Sequence, residues 1–223
     1  MKDKRVIVLM GGPSKEAEVS RRTGAAIAEA LQSIGYDAQT LELRPATVIE
    51  DIRSMGGEVV FNAIHGRYGE DGAVQGALEL AGIPYTGSGI MAHAVGMNKK
   101  ISKDAFKGAG IPTADSQSYD GRRLSAEEIG EAINERFGLP VVLKPATQGS
   151  SIGVVIVRDG AKLLSAVKEA LQYDPILVAE HFLDGGEFTV GVLDGKHYRL
   201  LKFDRTVVPM TIRPNTRLVL RIT

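Results

Sequence analysis

The sequence predicts an α/β protein: an N-terminal parallel α/β domain over residues 1–96, then an α+β domain beginning at residue 97. Three observations predict it. Strand-like apolar runs alternate with helical segments as far as Ala81, a rhythm that calls for a parallel sheet with right-handed crossovers. The first run, Val6-Ile7-Val8-Leu9-Met10, is apolar at every position, as a strand buried on both faces must be. Near Gly96 the rhythm changes, and two β-branched runs later flank a short Gly/Ser turn, the mark of a hairpin.

The first strand ends at Gly11-Gly12-Pro13-Ser14, and a helix follows from Ala17 to Ile34, stopped by Gly35. Asp37–Leu43 reads as a second strand, Thr47–Met55 as a short helix, and Val59–Ile64 as a third strand. A glycine-rich loop reaches Gly72, and Ala73–Ala81 is helical. Ile90–Gly110 reads as a helix broken near Gly96, with Lys99, Lys100, Lys103 and Lys107 forming a basic face of which one lysine is expected to be functional. Ser125–Phe137 is an amphipathic helix. Leu139–Leu143 and Val154–Val157 form the hairpin, Ala161–Gln172 a helix, and Ile176–Glu180 and Gly186–Leu193 two further strands.

The composition bounds the function. With 223 residues, 43% apolar and 24% charged, the chain can bury two modest cores. Net charge is zero and pI about 6.9, which argues against nucleic acid or a membrane surface as partner. No cysteine is present, so thiolate chemistry and Cys-ligated metal are excluded, and a cytoplasmic protein is expected. The apolar run after the basic N-terminus stops at Gly11, too short for a signal peptide or a membrane span.

Chemistry concentrates in loops at the carboxyl ends of strands, where open α/β sheets bind ligands. Lys144-Pro145-Ala146-Thr147-Gln148-Gly149-Ser150-Ser151-Ile152-Gly153 combines a lysine with backbone N–H groups and hydroxyls that can wrap an anion; the alternative is an ordinary hairpin with a solvated lysine. Glu16 opens a helix, where the macrodipole favours a carboxylate; it is either simple helix-end chemistry or an acceptor for an ammonium group. His65-Gly66-Arg67-Tyr68-Gly69-Glu70-Asp71-Gly72 places a histidine among glycines at a strand's end, which leans towards a site. Glu180 and Glu187, at the edges of apolar strands, are either solvent-facing or nucleotide acceptors.

These segments, with Tyr85-Thr86-Gly87-Ser88, Met97-Asn98-Lys99, Gly110-Ile111-Pro112-Thr113 and Glu187-Phe188-Thr189-Val190-Gly191, resemble in order and spacing the D-alanine–D-alanine ligases of the ATP-grasp superfamily. The resemblance covers residues 6 to about 193. It implies a pre-ATP-grasp domain followed by the first part of an ATP-grasp domain, incomplete over 97–193. It implies phosphorylation of one D-alanine carboxylate by ATP and attack by the amine of a second D-alanine, in peptidoglycan synthesis. Glu16 is then the ammonium acceptor and a catalytic residue. His65 lies near the substrate carboxylate. Ser150, also catalytic, and Ser151 cover the reacting centre and the substrate, and Ser151 also meets ATP. Lys99 and Lys144 hold ATP phosphates, and Glu180 and Glu187 take the adenine side and the ribose. Mg²⁺ or Mn²⁺ accompanies ATP in the family, and a homodimer is compatible with the resemblance. Asn98 stands where the family more often has aspartate.

Residues 194–223 depart from the pattern. The resemblance implies a later arginine for the developing charge, then an acidic residue and a Glu-x-Asn pair that hold the metal; none of these is found in this chain, so no metal ligand is assigned and the chain as given is expected to be impaired. Pairing the third base of each codon with the first two of the next allows, with one consistent choice of codons, a family-like string from His197 onward, LPAAEIRPDGGTYDYKAKYKAGAEDN. Several positions are forced: Met210-Thr211 can give only aspartate, and Phe203-Asp204 only arginine or a stop. Three functions stay in play: the ligase, an inactive fragment that at most binds nucleotide weakly, and an ATP-grasp ligase making D-alanyl-D-lactate. An uncovered sheet face near Phe188-Thr189-Val190 leads us to expect poor solubility.

Overall fold

The computed structural model describes residues 2–149, 151–185, 187–190, 192–193, 196–197 and 201–203. Its N-terminal part consists of β1 (Arg5–Met10), α1 (Ala17–Ser33), β2 (Asp37–Glu42), α2 (Val48–Ser54), β3 (Val59–Asn62) and α3 (Ala73–Ala81). The three strands pair in parallel in the order β2-β1-β3, with Val8 opposite Thr40 on one side and Phe61 on the other. Alternation along central β1 explains its unbroken apolar run. Ile7 and Leu9 pack with Ile52 of α2 and Val74 and Leu78 of α3, whereas Val8 packs with Ala28 of α1. Buried Gly24 lets α1 approach: a Cβ there would lie 2.6 Å from the Met10 Cβ. β3 ends at Asn62, two residues before the expected Ile64. There the Asn62 carboxamide turns the chain, accepting from the Ile64 N–H (3.1 Å) and donating to the Gly69 carbonyl (2.8 Å).

The expected broken helix is two helices, α4 (Ile90–Met97) and α5 (Lys99–Gly108). The break falls at Asn98, not at Gly96. Asn98 is extended (φ −93°, ψ 103°) and caps α5 by accepting from the Ile101 N–H at 3.2 Å. Asn and Asp cap equally well, so the substitution noted above keeps this role.

β4 (Ser116–Asp120), α6 (Ala126–Phe137), β5 (Val141–Pro145), β6 (Val155–Val157), α7 (Leu163–Leu171) and β7 (Ile176–His181) follow. The strands form an antiparallel sheet in the order β4-β7-β5-β6. β5 and β6 are the predicted hairpin, with Val141 opposite Val157. The predicted helix from Ala161 begins instead as a 3₁₀ turn, Gly160–Lys162. α6 and α7 cover one sheet face, burying Ile129, Ile133, Val141, Leu143, Val167 and Leu177. The other face carries Val142, Lys144, Val178 and Glu180, as the pairing of Val142 with Glu180 and of Lys144 with Val178 requires.

β8 (Glu187–Thr189), β9 (Val192–Leu193), β10 (Lys196–His197) and β11 (Leu201–Phe203) complete the described elements. The single strand expected over Gly186–Leu193 is thus two, β8 pairing with β11 and β9 with β10. The unusual tail beyond Phe203 lies outside the described residues. Among the described residues no helix is long and apolar enough to cross a membrane.

Candidate functional site

The first wall is built where β1 and β3 end. Ser20 of α1 ties the two together, its hydroxyl accepting from the Gly11 N–H (2.8 Å) and donating to the Ala63 carbonyl (2.7 Å). The Ser14 hydroxyl donates to the His65 carbonyl (2.8 Å) and accepts from the Glu16 N–H (3.2 Å), so the two loops hold each other. Glu16 occupies the N-cap position of α1, yet its carboxylate makes no capping hydrogen bond. That disfavours the helix-end reading. The carboxylate instead lies beside two glycines of other segments: a Cβ on Gly66 would sit 2.8 Å from its Oε2, and one on Gly149 3.1 Å from the same atom.

Glu70 joins it, which the sequence reading did not foresee. Glu70 accepts from the Gly66 N–H at 2.8 Å, and its Oε2 would lie 3.7 Å from a Cβ on Gly149. Burial pushes the Glu70 carboxyl above the usual carboxylate range; the Gly66 N–H and nearby His65 counter this, while Glu16 and Asp71 add to it. Two carboxylates facing one glycine make a negative pocket suited to an ammonium group. The loop between His65 and Gly72 is braced from below, with Gln75 donating to the Gly69 carbonyl at 2.6 Å.

The second wall comes from β5, β7 and α5. Lys144 and Glu180 are diagonal neighbours on one face of the β5–β7 pair and form an ion pair. Glu180 is 93% buried and so is not a solvent-facing strand polar. Burial by itself would raise its carboxyl, but Lys144 and Lys103 outweigh that and hold it below the usual range. The Lys99 N–H donates to the Ala146 carbonyl (2.8 Å) and its ammonium to the Gln148 carbonyl. Burial, then the charge of Lys144, lowers the Lys99 ammonium, with Asp174 and Glu180 opposing. A partly buried cation beside a second cation is poised for an anion of high charge.

The loop after β5 links the walls. Buried Asp174 fixes its base, accepting from the Thr147 N–H (2.8 Å), the Thr147 hydroxyl (2.5 Å) and the Ile176 N–H (2.8 Å). Gln148 donates to the Tyr173 carbonyl at 3.0 Å, and the Lys15 ammonium lies 4.2 Å from the centre of the Tyr173 ring. Ser151 is exposed and left-handed (φ 64°); with Tyr68 (φ 72°) it is one of two such non-glycine residues among those described, and both lie in the loops at this crevice.

The structure therefore brings Glu16, His65, Lys99, Lys144, Ser151 and Glu180 to the loops and strands around one crevice. Ser150 lies outside the described residues; Glu187 is described only by its backbone, opposite Phe203. Two of the four α5 lysines turn inward, Lys99 and Lys103, rather than the one expected. Glu70, Lys103 and Asp174 were not singled out by sequence. Only Lys103 had a usable signal, its four-residue spacing from Lys99, which puts both on one helix face. Among the described residues no group of three or more His, Asp or Glu side chains could hold a metal ion.

The chain is similar to known proteins over most of its length. The family described as D-ala D-ala ligase N-terminus matches residues 42–88, and that described as D-ala D-ala ligase C-terminus matches residues 105–212, past the 193 boundary drawn from sequence. The D-alanine–D-alanine ligase of Actinobacillus pleuropneumoniae serotype 5b is 46% identical over 196 residues, 88% of this chain and 63% of that protein. That of Moorella thermoacetica is 43% identical over 199 residues, 88% of this chain and 64% of the relative. The crystal structure of the Bacillus anthracis ligase complexed with ATP superposes with a TM-score of 0.77 at 33% identity, covering 89% of this chain and 65% of that one. The chain spans less than two thirds of the length of these relatives. With both halves of the family pattern matched in order, the chain belongs to the D-alanine–D-alanine ligase family.

Proposed function

We propose that the protein joins two D-alanines into D-alanyl-D-alanine at the expense of ATP, in the cytoplasm, for peptidoglycan precursors and so for cell-wall shape. Residues 1–96 are proposed as the amino-acid-binding domain and 97–193 as the first part of the ATP-grasp domain. One observation carries the reading. The glycine-containing loop after β5 accepts the Lys99 ammonium at the Gln148 carbonyl and passes beside the Glu16 and Glu70 carboxylates at Gly149. ATP supplies a transferable phosphoryl group that activates a carboxylate as an acyl phosphate. The chain's own residues orient and neutralise. Glu16 and Glu70 hold the first amino acid's ammonium, His65 faces its carboxylate, and Lys99 and Lys144 offset the phosphate charge. Glu180 and Glu187 are proposed at the adenine and ribose. Magnesium or manganese is proposed to accompany ATP, and homodimer formation is proposed; no step here is routed through the metal.

Calorimetric titration of the 223-residue chain with ATP tests the reading. Binding is expected, weakened about tenfold or more by Lys144→Met and unaffected by Glu16→Gln. Glu16→Gln should instead abolish protection of the chain by D-alanine. Absence of ATP binding by the folded chain sinks the proposal. Phosphate release with ATP, Mg²⁺ and D-alanine is expected to be low, as the metal-holding residues that the resemblance implies are not found in this chain; robust turnover would show that this chain suffices.

A further inference from the structure

Lys103 carries no assigned role. It lies one turn beyond Lys99 on α5 and points to the same side, whereas Lys100 pairs in solvent with Asp104 at 2.8 Å. The Lys103 ammonium is 2.7 Å from Glu180 Oε2 and donates to the Thr113 hydroxyl at 2.8 Å. Glu180 Oε1 holds Lys144. Each oxygen of this buried carboxylate therefore has its own cation, and the two cations differ. The Lys103 side chain is 12% exposed and pinned by Thr113; the Lys144 side chain is 29% exposed. A buried carboxylate stripped of its last cation is strongly unfavourable, but one that loses one of two is not stranded. The exchangeable partner is the one that meets solvent.

We propose that Lys103 is a positioning residue of the nucleotide site: it stays on Glu180 Oε2 as a fixed counter-ion and so frees Lys144 to leave Oε1 for the triphosphate of ATP. This rests on the nucleotide reading above. Without Lys103, Lys144 becomes the only cation on Glu180 and is retained there. Glu180 also loses the contact that sets its rotamer.

Two measurements on the full 223-residue chain test this. The first needs no nucleotide: acetylation of Lys144 by acetic anhydride, followed by mass spectrometry. Lys103→Met is expected to slow Lys144 acetylation about fivefold, Lys103→Arg to leave it near the starting rate, and exposed Lys107→Met to leave it unchanged. Lys144 acetylation unaltered in Lys103→Met overturns the proposal. The second is ATP titration as a double-mutant cycle. Lys103→Met should weaken ATP about tenfold, and in a Glu180→Gln background the same change should cost less than about twofold. An equal loss in both backgrounds shows a merely structural lysine and overturns the proposal. If Lys103→Met does not fold, Lys103→Arg decides: a folded Arg variant that loses ATP binding overturns it, and retained binding supports it. A starting chain that binds no ATP while its Lys144 still responds to Lys103→Met refutes the nucleotide reading alone.

Discussion

Glu70 carries a consequence for pH. Its carboxyl is raised in the folded chain, chiefly by burial. The folded state then holds this proton to higher pH than the unfolded chain does. Stability is lost as pH rises from the unfolded value through the folded one. Glu70→Gln should therefore raise the melting temperature at pH 7, with the gain closing as pH falls towards 4. A gain that is constant with pH, or a loss at pH 7, would show that Glu70 is not a strained carboxylate. D-alanine at high concentration should reduce the difference if its ammonium sits between Glu16 and Glu70. The residues recognised from sequence, Glu16, His65, Lys99, Lys144 and Glu180, all sit in or beside runs whose residue order is itself distinctive. Glu70 lies in the same run as His65 but was passed over, and Asp174 lies in none, because what marks both is burial and convergence across segments. Asp174 gathers three hydrogen bonds from Thr147 and Ile176, and nothing local to Tyr173-Asp174-Pro175 announces the partner 27 residues away.

Elements were readable wherever one face is apolar. α6 is the clearest case: Ser125 and Glu128 form a reciprocal capping box, with the Glu128 N–H donating to the Ser125 hydroxyl at 3.2 Å and the Ser125 N–H to the Glu128 carboxylate at 2.7 Å. Ser125→Ala should cost about 1 kcal/mol in denaturant unfolding while ATP titration stays unchanged. Asp174→Ala is the contrasting case. It strands the Thr147 and Ile176 N–H groups at the root of the phosphate loop and should cost about 3 kcal/mol or more. Under conditions that keep the variant folded, ATP binding should fall with it; unchanged ATP affinity would mean that the loop holds its shape without Asp174. β4, like the short β10 and β11, was missed. Its sequence, Ser116-Gln117-Ser118-Tyr119-Asp120, buries only Tyr119, and its place is set by pairing with β7 rather than by its own pattern. The α4–α5 break was displaced for a related reason: Gly96 suggested a breaker, but the Asn98 side chain, by capping, determines where the second helix starts.

An apolar cavity of about 750 Å³ beside α4, lined by Ile90, Met91, Val95 and Phe106, contains none of the candidate residues. The site is polar and assembled between a parallel and an antiparallel sheet, which is why several short motifs along the chain had to be read together. The tail raises the remaining whole-molecule question. Residues 6–193 carry the family's pattern, and the C-terminal family match continues to residue 212. The shifted frame gives a family-like string, and its forced positions are the informative ones. Codon freedom can supply a glycine from Thr206-Val207, but Met210-Thr211 allows aspartate alone, and Lys202-Phe203 allows only isoleucine or valine. We therefore predict a frame shift near residues 193–196, in the gene or in its sequencing. Resequencing that region should show that the frame reading through Met210-Thr211 as aspartate encodes LPAAEIRPDGGTYDYKAKYKAGAEDN without interruption. A stop codon in that frame at Phe203-Asp204, or any other encoded string, refutes the shift.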